Sequence, residues 1–370
     1  MGEFKALGVS AKFEKGINEL GIVTPSPIQE QVIPLLISEV TDLVAQAQTG
    51  TGKTAAFGLP LLEQINHKLD VVQGLILCPT RELGQQVAKQ LFKFTKYSDK
   101  IFTECVYGGE KIDKQIANLR RKTHIVVATP GRLIDLLERK AVDLSQVRTI
   151  ILDEADEMLS MGFKPQLDKI LKSVTSAEQT WLFSATIPDG IKQIINKHLS
   201  KQAKRIQIDK KKVVNKKIKH QFVICDEQDK LHVAVNFLKT MGEERGIIFC
   251  KTKKAAITLV KQLSAKNIKV DGLHGDLKQV ERDKVMRAFK NKNLNFLIAT
   301  DIAARGIDVA NLAFVLHYQL PDKMEYYTHR SGRTARGGNE GLSLAICTTA
   351  DVKHIRFFEK KLNISFSQLR

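Results

Sequence analysis

The sequence predicts an α/β protein of two tandem domains, each a parallel sheet with helices on both faces. Short, almost wholly apolar runs alternate with longer amphipathic ones, which is the order of strands and helices in βαβ units. This alternation stops near residue 208 at a lysine-rich stretch and then restarts. The length of 370 residues is too great for one core of ordinary size and suits two.

In the first domain, residues 1–207, five apolar runs are predicted to be buried strands that end in small or polar residues. They are DLVAQAQTG, GLILCPT, IVVATP, IILDEAD and WLFSAT. Amphipathic segments such as RELGQQVAKQLFKF lie between them and are predicted to be helices. Because ligands bind beyond the carboxyl ends of the strands in such sheets, we expect these polar ends to converge on one edge.

Residues 208–219 are rich in lysine and have few apolar anchors. Two interpretations stay open, a solvated linker or a linker with some affinity for phosphate. The second domain, residues 220–370, repeats the strand pattern in FVICD, GIIFCKT, VDGLHGD, NFLIATD, AFVLHY and LSLAIC. It has no glycine-rich phosphate loop, so we expect it to close over a nucleotide that the first domain holds.

The composition favours a polyanionic partner, because 58 Lys and Arg outnumber 40 Asp and Glu to give a net charge of +18. A basic soluble enzyme without such a partner is the alternative. The five cysteines form no CxxC pair, and several stand in apolar runs, so we expect reduced thiols, no zinc site and a cytoplasmic protein. No apolar stretch is long enough to span a bilayer, and the first residues lack the apolar region of a signal peptide.

A phosphate-binding loop is predicted at AQTGTGKT, Ala47 to Thr54, between a strand and a helix. Gly50 and Gly52 let backbone N–H groups face phosphate oxygens, Lys53 can reach the β- and γ-phosphates, and the Thr54 hydroxyl can bind Mg²⁺. Ala47 stands where the strict pattern has glycine. A glycine-rich turn with a chance lysine is the alternative, and the flanking strand and helix argue against it.

Acidic residues at the end of the run VRTIILDEAD are predicted to lie beside this loop. Asp153 suits Mg²⁺ through a bound water, and Glu154 suits the attacking water as its base or orienting group. Acidic residues also cap helices, so a purely structural role for the DEAD tetrapeptide is the alternative.

The ordered motifs resemble those of the DEAD-box RNA helicases over the whole chain, in the form of a bacterial-type minimal core. The resemblance implies two RecA-like domains, ATP and Mg²⁺ as cofactors, and RNA bound mainly through its backbone. In the Q motif, Gly21 to Gln29, Gln29 would bind the adenine edge and Phe4 would stack on the ring, unless Phe4 is a hydrophobic staple. The other ATP contacts implied in the first domain are Thr24, Gln48, Thr49, Gly50, Thr51, Gly52, Lys53 and Thr54.

The same resemblance assigns the RNA contacts and the residues that couple hydrolysis to strand separation. The RNA contacts would be Pro79, Thr80, Arg81, Gly108, Gly109, Thr129, Pro130, Arg132, Gly275, Arg282, Thr300 and Arg305. The coupling residues would be Asp156, Ser184, Thr186 and His329. Gly84 stands where the family usually has alanine.

In the second domain, Gly306 and Asp308 would contact the nucleotide, and Arg333 and Arg336 would be arginine fingers toward the γ-phosphate. Ser331 and Ala335 replace the more usual isoleucine and glycine. Both substitutions spare the arginines, so we expect them to change the local packing and not the mechanism.

The predicted function is therefore an RNA-dependent ATPase that locally unwinds RNA, as a monomer. Two rivals stay open, an ATP-gated RNA clamp with little unwinding and a DNA-processing motor of related fold. The sequence leaves open the physiological RNA and whether a C-terminal extension has been trimmed.

Overall fold

The computed structural model describes residues 2–48, 50–208, 217–304, 312–335 and 340–369. The chain divides into two compact units, Met1–Ile208 and Asp209–Arg370. The division falls at the start of the lysine-rich stretch, most of which lies outside the described residues.

The first unit contains a seven-stranded parallel sheet in the order β3-β4-β2-β5-β6-β1-β7. Its strands are β1 Leu43–Gln46, β2 Gly74–Leu77, β3 Thr103–Val106, β4 Ile125–Ala128, β5 Thr149–Leu152, β6 Gln179–Ser184 and β7 Lys204–Gln207. Its helices are α1 Glu3–Ala6, α2 Ala11–Asn18, α3 Pro27–Ser38, α4 Lys53–Gln64, α5 Arg81–Phe94, α6 Ile112–Leu119, α7 Pro130–Glu138, α8 Ala155–Ser160, α9 Lys164–Ser173 and α10 Asp189–His198.

The second unit contains a parallel sheet in the order β10-β11-β9-β12-β13-β8-β14. Its strands are β8 Ile218–Ile224, β9 Gly246–Cys250, β10 Val270–Leu273, β11 Phe296–Thr300, β12 Phe314–His317, β13 Gly341–Cys347 and β14 Phe366–Leu369. Its helices are α11 Lys230–Met241, α12 Lys253–Ser264, α13 Gln279–Lys290, α14 Asp301–Ala304, α15 Met324–Ser331 and α16 Val352–Leu362.

Both faces of the first sheet are covered, which explains why its central strands are continuous apolar runs. Successive side chains of a strand point to opposite faces, and in β2 the side chain of Ile76 joins one buried cluster while Leu75 and Leu77 join the other. In β6, the side chains of Trp181 and Phe183 belong to the same cluster as Ile76, and the side chain of Leu182 belongs to the other cluster. The predicted fold class is confirmed.

Three strands, β3, β7 and β14, were not predicted from the sequence, and all three lie at sheet edges. Edge strands are half exposed, so TECV, KRIQ and FSQL carry polar residues and lack the apolar run that marks a central strand.

Within the described part of the chain, no helix could cross a membrane. All five cysteines are free thiols, and burial raises the pKa of Cys250 to about 12.

Candidate functional site

The predicted phosphate loop connects the end of β1 to the start of α4. Gly50 and Gly52 have φ angles of +80° and +90°, a region that glycine enters without a steric penalty. Thr54 lies in the first turn of α4, where backbone N–H groups and the helix dipole favour an anion. Thr49 lies outside the described residues.

Lys53 begins α4 and is only 6% exposed. Its Nζ donates to the carbonyl oxygen of Ala47 at 3.2 Å, across the loop. An ammonium group has three donors, so this bond positions the lysine and leaves donors for phosphate oxygens. The Cβ of Ala47 lies in the hydrophobic core, which accounts for alanine where the strict pattern has glycine.

The Q motif is hydrogen-bonded directly to the phosphate loop. The Gln29 Nε2 donates to the carbonyl of Gly52 at 3.0 Å, and its Oε1 accepts from the Ser26 amide at 2.8 Å. The Ser26 hydroxyl donates to the carbonyl of Thr51 at 2.7 Å. A side-chain amide has two N–H groups and two lone pairs, so Gln29 retains one N–H and one lone pair for an adenine edge. Thr24 is exposed just before this segment.

Ser26 was not among the predicted site residues, although it bridges the two motifs. Its signal in the sequence was the Ser-x-x-Gln capping box at the start of α3.

The structure places Phe4 differently from the expected stacking position. Its side chain is fully buried in the same hydrophobic cluster as Phe13, Ile17 and Ile33. No ring face is exposed, so Phe4 cannot stack on a ligand in this conformation. Its observed role is to pack α1 against the rest of the first unit, which is an apolar role like that of the alternative interpretation, a hydrophobic staple.

Asp153 follows β5 and is 2% exposed. Burial raises the pKa of its carboxyl group to about 7, against the opposing effect of the Lys53 ammonium, and Glu154 adds to the rise. Its Oδ1 is buried with no hydrogen-bond partner among the described residues. A buried carboxylate oxygen without a hydrogen-bond partner suits a cation, so Asp153 fits Mg²⁺. In the described part of the chain no three His, Cys, Asp or Glu residues cluster as a metal site, and Mg²⁺ bound to nucleotide needs only one or two carboxylates.

Glu154 adopts φ +52° and ψ +52° immediately before α8. This left-handed conformation costs a non-glycine residue roughly 1–2 kcal/mol. Strain of this kind concentrates at functional sites, where the surrounding structure enforces it. The conformation therefore supports a functional role for Glu154 over a helix-capping one, and Glu154 makes no side-chain capping bond to α8.

Asp156 joins the acidic segment to the segment that follows β6. One of its carboxylate oxygens accepts from both the backbone N and the hydroxyl of Thr186, each at 2.8 Å. The Asp156 amide donates to the Ser184 hydroxyl at 3.2 Å. In turn, the Ala47 amide donates to the Ser184 carbonyl at 3.0 Å, and Gln46 donates to the carbonyl of Ala185. Asp156, Ser184 and Thr186 are thus hydrogen-bonded to one another, and the Ser184 carbonyl joins this set to Ala47 at the start of the phosphate loop.

The predicted RNA residues of the first unit follow the carboxyl ends of β2, β3 and β4. Thr80 caps α5 by accepting from the Leu83 amide at 3.3 Å, and the Arg81 guanidinium lies 4.5 Å from the centre of the Tyr107 ring. Pro79 is buried beside them, and Gly108 and Gly109 form the turn after β3, where Gly109 has φ +87°. Thr129 and Pro130 begin α7.

Gly84 has a packing explanation. A Cβ at this position would lie 3.2 Å from the Sγ of Cys105 on β3. An alanine methyl would therefore fit only if the thiol moved by a few tenths of an ångström.

Arg132 is directed into the protein. Its Nη1 donates to Gln115 at 2.7 Å and its Nη2 to the carbonyl of Glu110 at 3.0 Å, and the side chain is 10% exposed. In this conformation Arg132 fixes the turn that contains Gly108 and Gly109, and any contact with RNA would use its remaining donors.

In the second unit, Thr300 ends β11, and Arg282 donates to the carbonyl of Ala303 at 2.8 Å. Gly275 follows β10, and a methyl group at its Cα would meet no atom within 4 Å among the described residues. His329 lies in α15 and Arg333 follows that helix. Arg305, Gly306, Asp308 and Arg336 lie outside the described residues.

Asp301 and Arg330 were not predicted from the sequence as functional residues. The two form a bidentate ion pair with N–O distances of 2.6 and 2.7 Å, and Arg330 also donates to the carbonyl of Gln319 at 2.8 Å. Arg330 is 1% exposed. This pair ties the start of α14, which precedes residues 305–311, to the end of α15, which precedes Arg333.

A parallel sheet with a phosphate loop after β1 and carboxylates after β5, together with a second unit built on a parallel sheet, is typical of two-domain nucleotide hydrolases, among them the helicases. Comparisons with known proteins specify the family. The sequence profile described as DEAD/DEAH box helicase matches residues 26–194, and that of the helicase conserved C-terminal domain matches residues 229–338.

Among curated relatives, the ATP-dependent RNA helicase CshA of Listeria monocytogenes is 41% identical over 360 residues, which cover 97% of this chain and 69% of the relative. The DEAD-box ATP-dependent RNA helicase CshA of Streptococcus pneumoniae is 42% identical over 357 residues, 96% of this chain and 68% of the relative. The chain belongs to the DEAD-box family of ATP-dependent RNA helicases.

Solved structures agree with this assignment. S. cerevisiae Dbp5 bound to RNA and ADP BeF3 matches with a TM-score of 0.91 at 31% identity, covering 100% of this chain and 96% of that one. Mss116p bound to ssRNA and AMP-PNP matches with a TM-score of 0.87 at 29% identity, covering 99% and 78%.

Proposed function

We propose that this chain hydrolyses ATP in its first unit, with Mg²⁺ bound by Asp153 and Thr54, to separate or remodel short RNA duplexes. The observation that carries this proposal is the hydrogen-bonded connection from the phosphate loop through Ser184 and Thr186 to Asp156. A change at the γ-phosphate can reach the 184–186 segment through this connection without a long relay.

Each polar group of the first unit has a chemical role in the proposed reaction. Backbone N–H groups of the loop and the Lys53 ammonium would neutralise the β- and γ-phosphates. Glu154 would orient the attacking water or accept its proton. Gln29 would read the adenine edge while its other donor and acceptor hold the loop and Ser26 in place. Bound Mg²⁺ would add charge neutralisation between the phosphate oxygens.

The proposed RNA grip in this unit uses the turn and helix starts after β2, β3 and β4. Backbone N–H groups at the N-termini of α5 and α7 and in the Gly108-Gly109 turn suit phosphate oxygens, which carry no sequence information. We therefore propose that binding depends little on base sequence and falls as salt rises.

The second unit would supply Arg333 and Arg336 as arginine fingers, with Gly306 and Asp308 at the nucleotide and Thr300 and Arg305 at RNA. We propose that ATP and RNA together draw the two units together, and that hydrolysis and phosphate release separate them. This part rests on family membership and on relatives that were solved with RNA and ATP analogues. We also propose a monomeric protein of the cytoplasm, in keeping with its five free thiols.

The proposal is tested by displacement of a labelled strand from a short RNA duplex with Mg²⁺ and ATP. Displacement should require ATP, should fail with Glu154→Gln, and should be accompanied by ATP turnover that RNA stimulates more than DNA of the same sequence. Retention of the duplex without displacement at full ATPase activity would instead identify a clamp. Equal stimulation by DNA would identify a motor without RNA preference.

A further inference from the structure

The first unit carries a groove that the ATP and RNA assignments do not use. It has a volume of about 990 Å³ and is lined by the ends of α2, α5 and α6 and by the start of β3. The predicted ATP and RNA residues follow the carboxyl ends of the strands, whereas this groove lies where β3 begins. The groove therefore lies at the amino-terminal end of β3, opposite the strand ends that carry the predicted ATP and RNA residues.

The first two residues of an edge strand, Thr103 and Glu104 of β3, line the groove. Among the described strands, β3 pairs only with β4. On the β4 side, the carbonyls of Phe102 and Val106 accept from the Ile125 and Thr129 amides at 3.2 and 3.0 Å. Backbone groups of a strand alternate in direction, so those of the intervening Thr103 and Cys105 are directed outward.

Among the described residues, no hydrogen bond reaches the outward backbone groups of Thr103 and Cys105. Unpaired groups of this kind are a template for an additional strand.

Apolar side chains stand at the wall of the groove. Phe92 on α5 is 74% exposed, Phe102 before β3 is 43% exposed and Leu20 after α2 is 38% exposed. A single exposed apolar residue needs no explanation, but several around one concavity are typical of a binding site.

The charge of the groove is positive. Its lining contains two carboxylates, Glu19 and Glu104, and five cations, which are Lys93, Lys96, Lys100, Arg121 and Lys122. Glu19 is paired with Lys96 at 2.5 Å, and Glu104 accepts from Asn118 at 3.0 Å. Within the described part of the chain, the other four cations have no carboxylate partner. The groove therefore attracts an anionic ligand.

We propose that this groove binds an extended acidic segment of a partner protein, which pairs with the outer side of β3 and places an apolar side chain beside Phe92 and Phe102. Main-chain pairing would give affinity, the apolar contact would fix register, and the four cations would select acidic sequences. A second copy of this chain is a poor occupant, because its net charge of +18 opposes self-association at a basic surface.

Single-stranded RNA fits these features less well. Channels for single strands stack successive bases on several aromatic rings. Here the Phe102 ring already stacks on His124, with 5.7 Å between centroids and 28° between planes, which leaves Phe92 as the one other phenyl ring in the lining. RNA would also leave the outward backbone groups of β3 without strand partners.

The test uses the full chain and a fluorescein-labelled decapeptide in which Glu alternates with Thr and one central residue is Phe. Binding is measured by fluorescence anisotropy for the wild type and for the double variant Lys100→Glu/Arg121→Glu. The matched control is Lys172→Glu/Lys201→Glu, which reverses two exposed lysines outside the groove. A version of the peptide with N-methylated backbone amides tests strand pairing, and labelled oligouridylate tests RNA.

We expect saturable binding to the wild type and to the control, and about tenfold weaker binding to the groove variant, because two cations that would face the peptide carboxylates become carboxylates themselves. The N-methylated peptide should bind more weakly than its parent, and amide hydrogen exchange at 103–105 should slow only with the parent peptide. RNA-stimulated ATPase should be equal in both variants. The proposal is overturned by absent binding to the wild type, by equal loss in both variants, or by a selective loss of oligouridylate binding in the groove variant.

Discussion

The contact between the Q motif and the phosphate loop gives a quantitative prediction for Gly52→Ala. A Cβ at Gly52 would lie 2.4 Å from the Gln29 Nε2, closer than any side chain tolerates, so Gln29 must move. Its displacement breaks its bonds to the Gly52 carbonyl and the Ser26 amide. A displaced Gln29 also loses the two hydrogen bonds that it would make to the adenine edge, and at roughly 0.5–1.5 kcal/mol for each bond the lost binding free energy is about 1–3 kcal/mol. We expect ATP to bind roughly 5- to 150-fold more weakly for this reason.

Gly50→Ala is the matched control, because it places alanine at nearly the same positive φ in open space. Both variants carry the backbone strain, so the difference between them measures the displacement of Gln29. Affinity for a fluorescent ATP analogue is measured for both variants, alone and combined with Gln29→Ala. The excess loss in Gly52→Ala should largely disappear with Gln29→Ala, since the clashing amide is then absent.

Equal affinities for the Gly50 and Gly52 variants, or an excess that persists without Gln29, would refute the link between the two motifs. The fold of the first unit is checked independently by the fluorescence of Trp181, the single tryptophan of the chain, which is fully buried in β6.

Three further predictions concern the acids and the arginine finger. Glu154→Gln should bind ATP and RNA but hydrolyse ATP very slowly, and loss of ATP binding in a folded variant, measured by titration, would contradict its assignment to the attacking water. Arg333→Ala should lower RNA-stimulated turnover by about 10³ to 10⁵ with poor rescue by lysine, and near-normal turnover would mean that the finger is misassigned. Because the pKa of Asp153 is raised to about 7, the folded state binds the proton more strongly than the unfolded state, whose pKa is about 4. Without Mg²⁺ and nucleotide, the stability of the wild type should therefore fall relative to Asp153→Asn as pH rises from about 4 to 7 and then level off. Urea unfolding followed by Trp181 fluorescence measures this difference in stability, and a difference that stays constant with pH would show that folding does not raise the pKa of Asp153.

The central strands and the phosphate loop were predictable because their signals are local. A buried strand between two layers of helices must be apolar on both sides, and a phosphate loop needs its glycines and lysine at fixed spacing. The helix predicted at RELGQQVAKQLFKF appears as α5, Arg81–Phe94. The edge strands β3, β7 and β14 and the fully buried position of Phe4 depend on what packs beside them, which no local pattern records.

Arg330 shows why a motif can hide a second role. The sequence analysis assigned Arg333 and Arg336 of the HRSGRTARGG run to the γ-phosphate and gave Arg330 no role. In the structure, Arg330 is paired with Asp301, 29 residues earlier. The pair forms because β11 and β12 both neighbour β9, so that α14 and α15 follow strands ending at the same edge of the sheet. Sequence order does not give that adjacency.

The serine at position 331 illustrates how such long-range contacts decide whether a substitution is tolerated. Ser331 is 1% exposed, and a buried hydroxyl without a partner would be destabilising. Its Oγ lies 2.9 Å from the Ser343 Oγ on β13, which in turn lies 3.1 Å from His317 Nε2 and 3.1 Å from the Tyr327 hydroxyl. The polar residue at 331 is thus matched by polar partners on two strands and on its own helix. An isoleucine at position 331 would leave the Ser343 hydroxyl with one hydrogen-bond partner fewer. The serine, which departs from the family pattern, therefore suits its surroundings. At this point α15, the helix that leads to Arg333, is held by hydrogen bonds instead of apolar packing.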